Sequence, residues 1–354
     1  MADLRFACIG VAGIAGAHLD SIPKRPGVEV VGLCDVSDVA LANAQAKFPS
    51  ATTFKDPAEL LATVKPDVVA VCTPNKWHAE YSILALEAGA HVICEKPMAM
   101  TSDEAIAMEA ARAKAGKIGM VNFSYRNNMA FRFARQLIAN GDLGDLQRVQ
   151  AVYLQSWLGA EGTKYSWRND ASVAGFGALG DLGVHMIDGV RFITGRDYES
   201  VVGLSEIRTP QKPDAHGVLQ NVTTDTNACW LAKMSGGVVG TFETSQTAAG
   251  YGNYFRIEVS GSKGTLIVVS DKDGELQLFA GPTLSHYATW TTGHPTVSVP
   301  SGFRDSQKAY GPGLVIAAIR GETEDYPTFA DGVAAQSVLT GIAESMASGA
   351  WAGV

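Results

Sequence analysis

Over the first third of the chain, short apolar runs alternate with segments of helical spacing. Leu4–Ile9, Val28–Cys34, Asp67–Cys72 and His91–Cys94 are nearly continuous in apolar residues, as parallel strands covered on both faces are. Helices are predicted at 38–47, from Asp56 to about Thr63, and at 76–88. Asp56, Pro57 and Glu59 read as N-cap, first-turn proline and capping-box acid, and Thr101 with Glu104 forms a second box. Lys117–Val121 can close this sheet as a sixth strand, which puts a domain boundary near Asn122. The pattern then changes. Asn127–Asn140 is helical and Gly141 is placed to end it, while Leu146–Trp157 alternates enough to start a new sheet. From Ser200 to Phe279 strands follow one another through tight turns. Asn227–Met234 and Val238–Thr244 flank Ser235-Gly236-Gly237, Phe255–Ser260 and Thr265–Val269 flank Gly261-Ser262-Lys263-Gly264, and Asp273-Gly274 marks another turn. Such a meander fits an antiparallel sheet with one face under helices and the other open to a second subunit. Residues 280–305 are polar and rich in Gly and Pro, a long loop near a site or interface. Helices at about 306–320 and 329–347 finish the fold.

Composition narrows the class. A chain of 354 residues is long for one core, so two domains are expected. Hydrophobic content of 46% with 18% charged residues belongs to a globular protein. The formal charge is 28 − 36 = −8, and no basic cluster offsets it, which argues against nucleic acid as a partner. The N-terminus has no signal-peptide core and no apolar run approaches a membrane span, so a cytoplasmic protein is expected. The five cysteines lie in apolar runs without regular spacing, which is no disulfide framework.

The first strand runs straight into Gly10-Val11-Ala12-Gly13-Ile14-Ala15-Gly16 and an alanine-rich helix. A strand, a glycine-rich turn and a helix make the first half of a dinucleotide-binding unit, in which small residues let the backbone approach a pyrophosphate. The match is loose, since Ala12 and Ala15 occupy two of the usual glycine places. Val28–Cys34 ends at Asp35, where a carboxylate can take the adenosine ribose hydroxyls of NAD and repel the 2′-phosphate of NADP; the alternative for Asp35 is a cap on the following helix. Thr73-Pro74-Asn75 and His78 follow the carboxyl end of another strand, where open parallel sheets bind ligands. In a purely structural reading Asn75 is an N-cap and His78 faces solvent. Glu95-Lys96-Pro97 ends the next strand, so Lys96 is fixed before a helix at the mouth of the sheet.

The second candidate stretch runs from Gly177 through Ile193 and ends at Gly195. It reads as a helix with Asp181 and His185 four apart on one face. Gly180 and Gly183 are poor helix formers, which suggests that a substrate and a nicotinamide lie against the backbone. A core histidine with a capping aspartate is the alternative. Arg168, beside Trp167, could clamp substrate hydroxyls or form an interdomain salt bridge.

Together the Gly10–Gly16 turn, Asp35, Thr73-Pro74-Asn75 with His78, Glu95-Lys96-Pro97 and Gly180-Asp181-Leu182-Gly183-Val184-His185 resemble the Gfo/Idh/MocA family. Tyr125-Arg126, Gly141-Asp142-Leu143-Gly144, Trp167-Arg168 and the segment from Asp331-Gly332 to Trp351 are similar to it as well. The resemblance implies an α/β architecture: an N-terminal Rossmann domain (1–122) and a C-terminal α+β domain (123–354) with a large, open, mainly antiparallel sheet serving dimer or tetramer contacts. It implies oxidation or reduction of sugars, cyclitols and related polyols with NAD(P), NAD being preferred on the strength of Asp35. Lys96, Asp181 and His185 match the catalytic positions. Gly10, Ala12, Gly13, Ile14, Asp35, Thr73, Pro74, Asn75, His78, Glu95 and Lys96 would line the cofactor. Lys96, Arg126, Trp167, Arg168, Asp181 and His185 would line the substrate.

Hydride transfer from a secondary alcohol needs a base beside the hydroxyl, and a histidine has a suitable reference pKa of ~6.5. Asp181 would orient it, and Lys96 would stabilise the developing alkoxide. An NAD-dependent glycosidase or lyase, acting through transient oxidation, would use the same residues. A non-catalytic NAD sensor would not need them. A metal site lacks a third and fourth ligand at useful spacing.

Overall fold

The computed structural model describes residues 4–160, 162–272, 275–280, 296–300 and 311–354. It divides into two compact units, Met1–Ser124 with Lys308–Gln336, and Tyr125–Gln307 with Ser337–Val354.

In the first unit β1 (Leu4–Ile9), β2 (Val28–Cys34), β3 (Thr52–Phe54), β4 (Val68–Val71), β5 (His91–Cys94) and β6 (Gly119–Val121) form one parallel sheet in the order β3-β2-β1-β4-β5-β6. The order reverses between β1 and β4, which is the switch point of a Rossmann fold. The crossovers carry α1 (Ala15–Ser21), α2 (Asp38–Lys47), α3 (Pro57–Val64), α4 (His78–Glu87) and α5 (Ser102–Ala115). Their starts follow the sequence closely. Asp56 accepts the Ala58 and Glu59 N–H groups, and Thr101 accepts that of Glu104. The Glu104 carboxylate returns to the Met100 N–H, one residue before the position a capping box uses.

The second unit holds a nine-stranded sheet. Its members are β7 (Leu146–Gln155), β8 (Tyr198–Glu206), β11 (Asn227–Met234), β12 (Val238–Ser245), β13 (Asn253–Gly261), β14 (Gly264–Val269), β15 (Glu275–Ala280), β16 (Thr296–Ser298) and β17 (Ala352–Gly353). A separate hairpin pairs β9 (Gln211–Pro213) with β10 (Leu219–Asn221). The order is β16-β15-β14-β13-β7-β12-β11-β8-β17, antiparallel throughout except for the parallel pair β7–β12. Helices α6 (Met129–Ala139) and α8 (Val184–Thr194) lie on the inner face, where Phe131 meets Phe255 and Gly189 lies against both; α7 (Ala171–Ala174) is a single turn. The outer face carries Leu204, Leu231 and Val239, which are 66%, 46% and 54% exposed.

Two helices close the chain, α9 (Pro312–Ile319) and α10 (Phe329–Ser348). A boundary at Asn122 therefore misses a return. Leu314, Val315 and Ile316 of α9 belong to the core that β1, β2 and β4 build, and Thr328 bridges Met120 on the edge strand β6. Burying such side chains contributes about 1.5–3 kcal/mol each, and an edge strand gains from a cover. In the expected loop 280–305, residues 296–298 are strand β16, paired with β15. Residue 280 ends β15, and the Asp273-Gly274 turn, residues 281–295 and 301–305 of that loop, and the first five residues of the helix expected at 306–320 lie outside the described residues.

Candidate active site

The glycine-rich turn is fixed by contact with the end of β4. Gly10 has φ +80°, and a Cβ there would stand 2.8 Å from the carbonyl group of Cys72 and from the nitrogen of Thr73. No other residue fits so close an approach. Ala12, Gly13 and Ile14 are exposed, and a Cβ on Gly13 would meet nothing within 4 Å among the described residues. Asp35 accepts the N–H groups of Val11 at 2.9 Å and Ser37 at 2.8 Å, which holds its carboxylate at the turn. The structure also brings Lys55 to this edge, bonded to the Val36 carbonyl at 2.9 Å and paired with Asp38 at 2.7 Å. Nothing in the residues next to Asp35 along the chain pointed to that cation. Thr73 Oγ1 is buried and has no hydrogen-bond partner among the described residues, a polar atom that a ligand at the end of β4 would satisfy. These features fit a dinucleotide.

Asn75 begins a 3-10 turn, Asn75–Trp77, instead of capping α4 directly. His78 does not face solvent. It is 1% exposed, with Nδ1 at 2.8 Å from the Pro97 carbonyl and Nε2 at 2.8 Å from that of Thr73. Glu95 is likewise turned inward, towards His18 Nε2 at 2.6 Å and the Asn122 amide at 2.6 Å. Burial pushes its carboxyl up, but the bond to and charge of His18, the charge of Lys96 and the bond from Asn122 outweigh it and hold the pKa at about 2. Lys96 itself is half-buried. His18 is fully buried and was not singled out by the sequence.

In the second unit the segment before α8 is not α-helical. Leu179–Gly183 forms a π-turn, so Asp181 lies in the wide turn and His185 in the first turn of α8. Such turns are rare, and many lie at functional sites. The approach is set by Asp225, whose carboxylate accepts the Gly177 and Leu179 N–H groups at 2.7 Å each. Gly177 is required there, since a Cβ would collide with the Asp225 carbonyl oxygen at 1.8 Å. Gly183 has a different reason from the one its sequence suggests. A Cβ there would meet Leu179 at 3.0 Å and the Trp230 indole at 3.4 Å, so packing accounts for it without a ligand.

His185 is buried and packs edge-on to Tyr125, ring centres 5.0 Å apart. From Tyr125 a polar chain continues: its Oη lies 2.7 Å from Tyr153 Oη, which donates to Asn253 at 2.8 Å. Gln155 donates to Asn253 at 2.7 Å and accepts the Trp157 indole N–H at 2.7 Å. Burial, with Tyr125 beside it, raises the Tyr153 pKa, so that hydroxyl keeps its proton. Asp181 accepts the Gln246 amide at 3.2 Å. Tyr153, Gln155, Asn253 and Gln246 went unnoticed in the sequence, although the alternation in β7 places Tyr153 and Gln155 on one face.

Arg126 is taken up elsewhere. Its guanidinium pairs with both oxygens of Asp188, with Nε at 3.1 and 3.0 Å, and it lies over Phe192. That pairing accounts for its charge without a substrate. Arg168 stacks on the neighbouring Trp167 ring at 4.5 Å, and the salt bridge considered for it has no partner among the described residues. Among those residues no group of three His, Cys, Asp or Glu side chains could hold a metal ion, and no helix is long and apolar enough to cross a membrane.

Residues 4–123 match the model of an oxidoreductase family with an NAD-binding Rossmann fold, and 131–267 match the GFO/IDH/MocA C-terminal domain. The chain belongs to the Gfo/Idh/MocA family of oxidoreductases. Levoglucosan dehydrogenase of Pseudarthrobacter phenanthrenivorans is 31% identical over 312 residues, covering 81% of this chain and 80% of that one. Other family relatives are named as glucoside and inositol dehydrogenases. The crystal structure of an oxidoreductase domain protein from Kribbella flavida has a TM-score of 0.89 at 34% identity, with 100% of both chains covered. A levoglucosan dehydrogenase in complex with NADH and L-sorbose gives 0.89 at 27% identity, covering 99% of this chain and 98% of that one.

Proposed function

We propose that this family member is an NAD-dependent dehydrogenase acting on a secondary alcohol of a sugar, cyclitol or related polyol. The nicotinamide supplies the hydride chemistry, and the chain's own residues bind, orient and move the proton. Gly10, Ala12, Gly13, Ile14, Asp35 and Thr73-Pro74-Asn75 hold the dinucleotide, with Asp35 favouring NAD over NADP. His185 takes the hydroxyl proton, Asp181 supports the cationic form that results, and Lys96 stabilises negative charge on the reacting oxygen. Trp167 and Arg168 contribute to sugar recognition; Arg126, Glu95 and His78 act from inside the protein and touch neither ligand.

The observation that carries this reading is the setting of His185. It is a buried imidazole at the head of α8, beside a π-turn and against a chain of tyrosine, amide and indole groups suited to hydroxyl-rich ligands. Relatives solved with NADH and a sugar support it from outside the chain. The test is a panel of polyols, aldoses and anhydrosugars assayed with NAD and with NADP while NADH absorbance is followed. Net NADH formation on one of them is expected; a cleaved sugar without net NADH would instead indicate a glycosidase or lyase.

The outer face of the large sheet supports a homodimer or homotetramer, because Leu204, Leu231 and Val239 expose apolar surface on adjacent strands. Sedimentation of the native chain should show the oligomer, and Leu231→Lys should dissociate it. A monomeric native chain would end this assignment.

A further inference from the structure

Lys96 lies between two residues that are each tied down by a buried histidine. On its N-terminal side, Glu95 receives His18 Nε2 from α1 at 2.6 Å and the Asn122 amide from the segment after β6 at 2.6 Å. The second oxygen of Glu95 accepts the Lys96 N–H at 3.3 Å. On the C-terminal side, the Pro97 carbonyl lies 2.8 Å from His78 Nδ1, and the Thr73 carbonyl lies 2.8 Å from His78 Nε2. His18 is 0% exposed, His78 1% and Glu95 6%. All three bond to protein partners, and buried polar groups of this kind are costly unless they serve a structure that matters.

We infer that His18 and His78 are positioning residues for Lys96, bracketing it from α1 and α4 and so fixing its backbone to the turns that hold the dinucleotide. His18 follows the glycine-rich turn on α1, and His78 follows the Thr73 loop on α4. Each tether therefore joins a cofactor-binding segment to the strand end that presents the lysine. This rests on the role given to Lys96 above, but its geometric content can be read apart from catalysis.

The two brackets use different ring nitrogens, and that gives the test. The amide nitrogen of Gln can stand in for Nε2 of histidine, and that of Asn for Nδ1. At position 18 the tether runs from Nε2, so His18→Gln should retain function and His18→Asn should not. A neutral imidazole carries one N–H, so His78 donates either from Nδ1 to Pro97 or from Nε2 to Thr73; the bracket on Lys96 requires Nδ1 as the donor, so His78→Asn should retain function and His78→Gln should not. Misplacing a reacting group by a fraction of an ångström to 1 Å lowers kcat about tenfold to a hundredfold, while KM and NADH affinity change little. Competitive labelling of lysines with acetic anhydride, read by mass spectrometry, supplies a readout independent of turnover. The Lys96 labelling rate relative to the other lysines should shift in His18→Asn and His78→Gln and stay at the native value in the two matched variants. Equal behaviour of Asn and Gln at both positions, or unchanged Lys96 labelling in all four folded variants, would overturn the inference. If one position does not tolerate substitution, the other decides alone. Should Lys96→Ala turn over sugars at the native rate, the catalytic role of Lys96 fails, while the labelling pattern still decides whether the histidines bracket it.

Discussion

His18 Nε2 stands 2.6 Å from Glu95 Oε1, with both side chains buried beside the strand end that carries Lys96. This pair, with His78 nearby, makes the first unit sensitive to acid. The Glu95 pKa falls from its ordinary 4.5 to about 2: burial acts upward, but His18, Lys96 and Asn122 prevail. The unfolded chain therefore takes up a proton at a pH where the folded chain does not. The stabilisation is complete above 4.5 and is lost as the pH falls towards 2, on the order of 3 kcal/mol in all. His78 acts in the same sense. Burial, against the pull of its two carbonyl partners and Glu95, lowers its pKa below 6.5, so the unfolded state gains the proton first as the pH drops. Denaturant unfolding of the native chain from pH 7.5 to about 2.5 should show falling stability, first through His78 and below 4.5 through Glu95. His78→Asn should flatten the upper part of that slope, and a pH-independent midpoint in the native chain would contradict the assignment.

Asp225 contributes with the opposite sign. Burial raises its carboxyl pKa although backbone N–H groups bond to it, so its contribution is greatest in acid and is lost as the pH rises through the shifted value. Its larger effect is geometric, because Asp225→Ala strands the Gly177 and Leu179 N–H groups at the start of the turn carrying Asp181. Each unsatisfied buried donor costs about 1–3 kcal/mol. A loss of about 2–5 kcal/mol in unfolding free energy is expected, with Asp225→Asn recovering part of it. Circular dichroism during urea unfolding measures both.

Cofactor preference should turn on Asp35. Asp35→Ser removes the charge that opposes a 2′-phosphate, and Lys55 already stands at the same edge in a pair with Asp38. The ratio of kcat/KM for NADP to that for NAD should rise at least about tenfold, equivalent to about 1.4 kcal/mol. An unchanged ratio would remove Asp35 from cofactor selection.

Removing the proton carrier should slow chemistry without weakening NAD. His185→Ala is expected to lose about 10²–10⁴ in kcat while NADH fluorescence titration gives a native Kd. Lys96→Ala should lose a comparable factor through the missing charge at the reacting oxygen. Native turnover in His185→Ala would exclude it from the reaction.

What was legible in the sequence was what neighbouring residues decide. The first strands, the Asp56 and Thr101 caps and the hairpin at Ser235-Gly236-Gly237 all depend on residues within a few positions of one another. Long-range decisions left no comparable trace. Asp225 reaches back 48 residues to cap the approach to Asp181, and Glu95 meets His18 across 77. No spacing rule connects such partners, so Glu95 looked like a ligand-facing residue when it is an internal one. The π-turn hid for a related reason: Gly180 and Gly183 interrupt helical propensity without saying what fills the space, and at Gly183 that is Trp230. The return of 311–336 to the first unit was missed because α9 resembles any other apolar helix until its partners are known.

The parallel pair β7–β12 in the large sheet governs the order in which that unit can form. β7 is its earliest strand, yet it sits at the centre, between β12 and β13. Hairpins alone cannot build this arrangement: β7 must wait for a segment about ninety residues downstream before either flank is covered. A nascent chain released before β12 would leave β7 with both edges bare, a state prone to pair with other chains. Assembly of this half should therefore be slow and late, and sensitive to truncation well beyond the residues that do the chemistry.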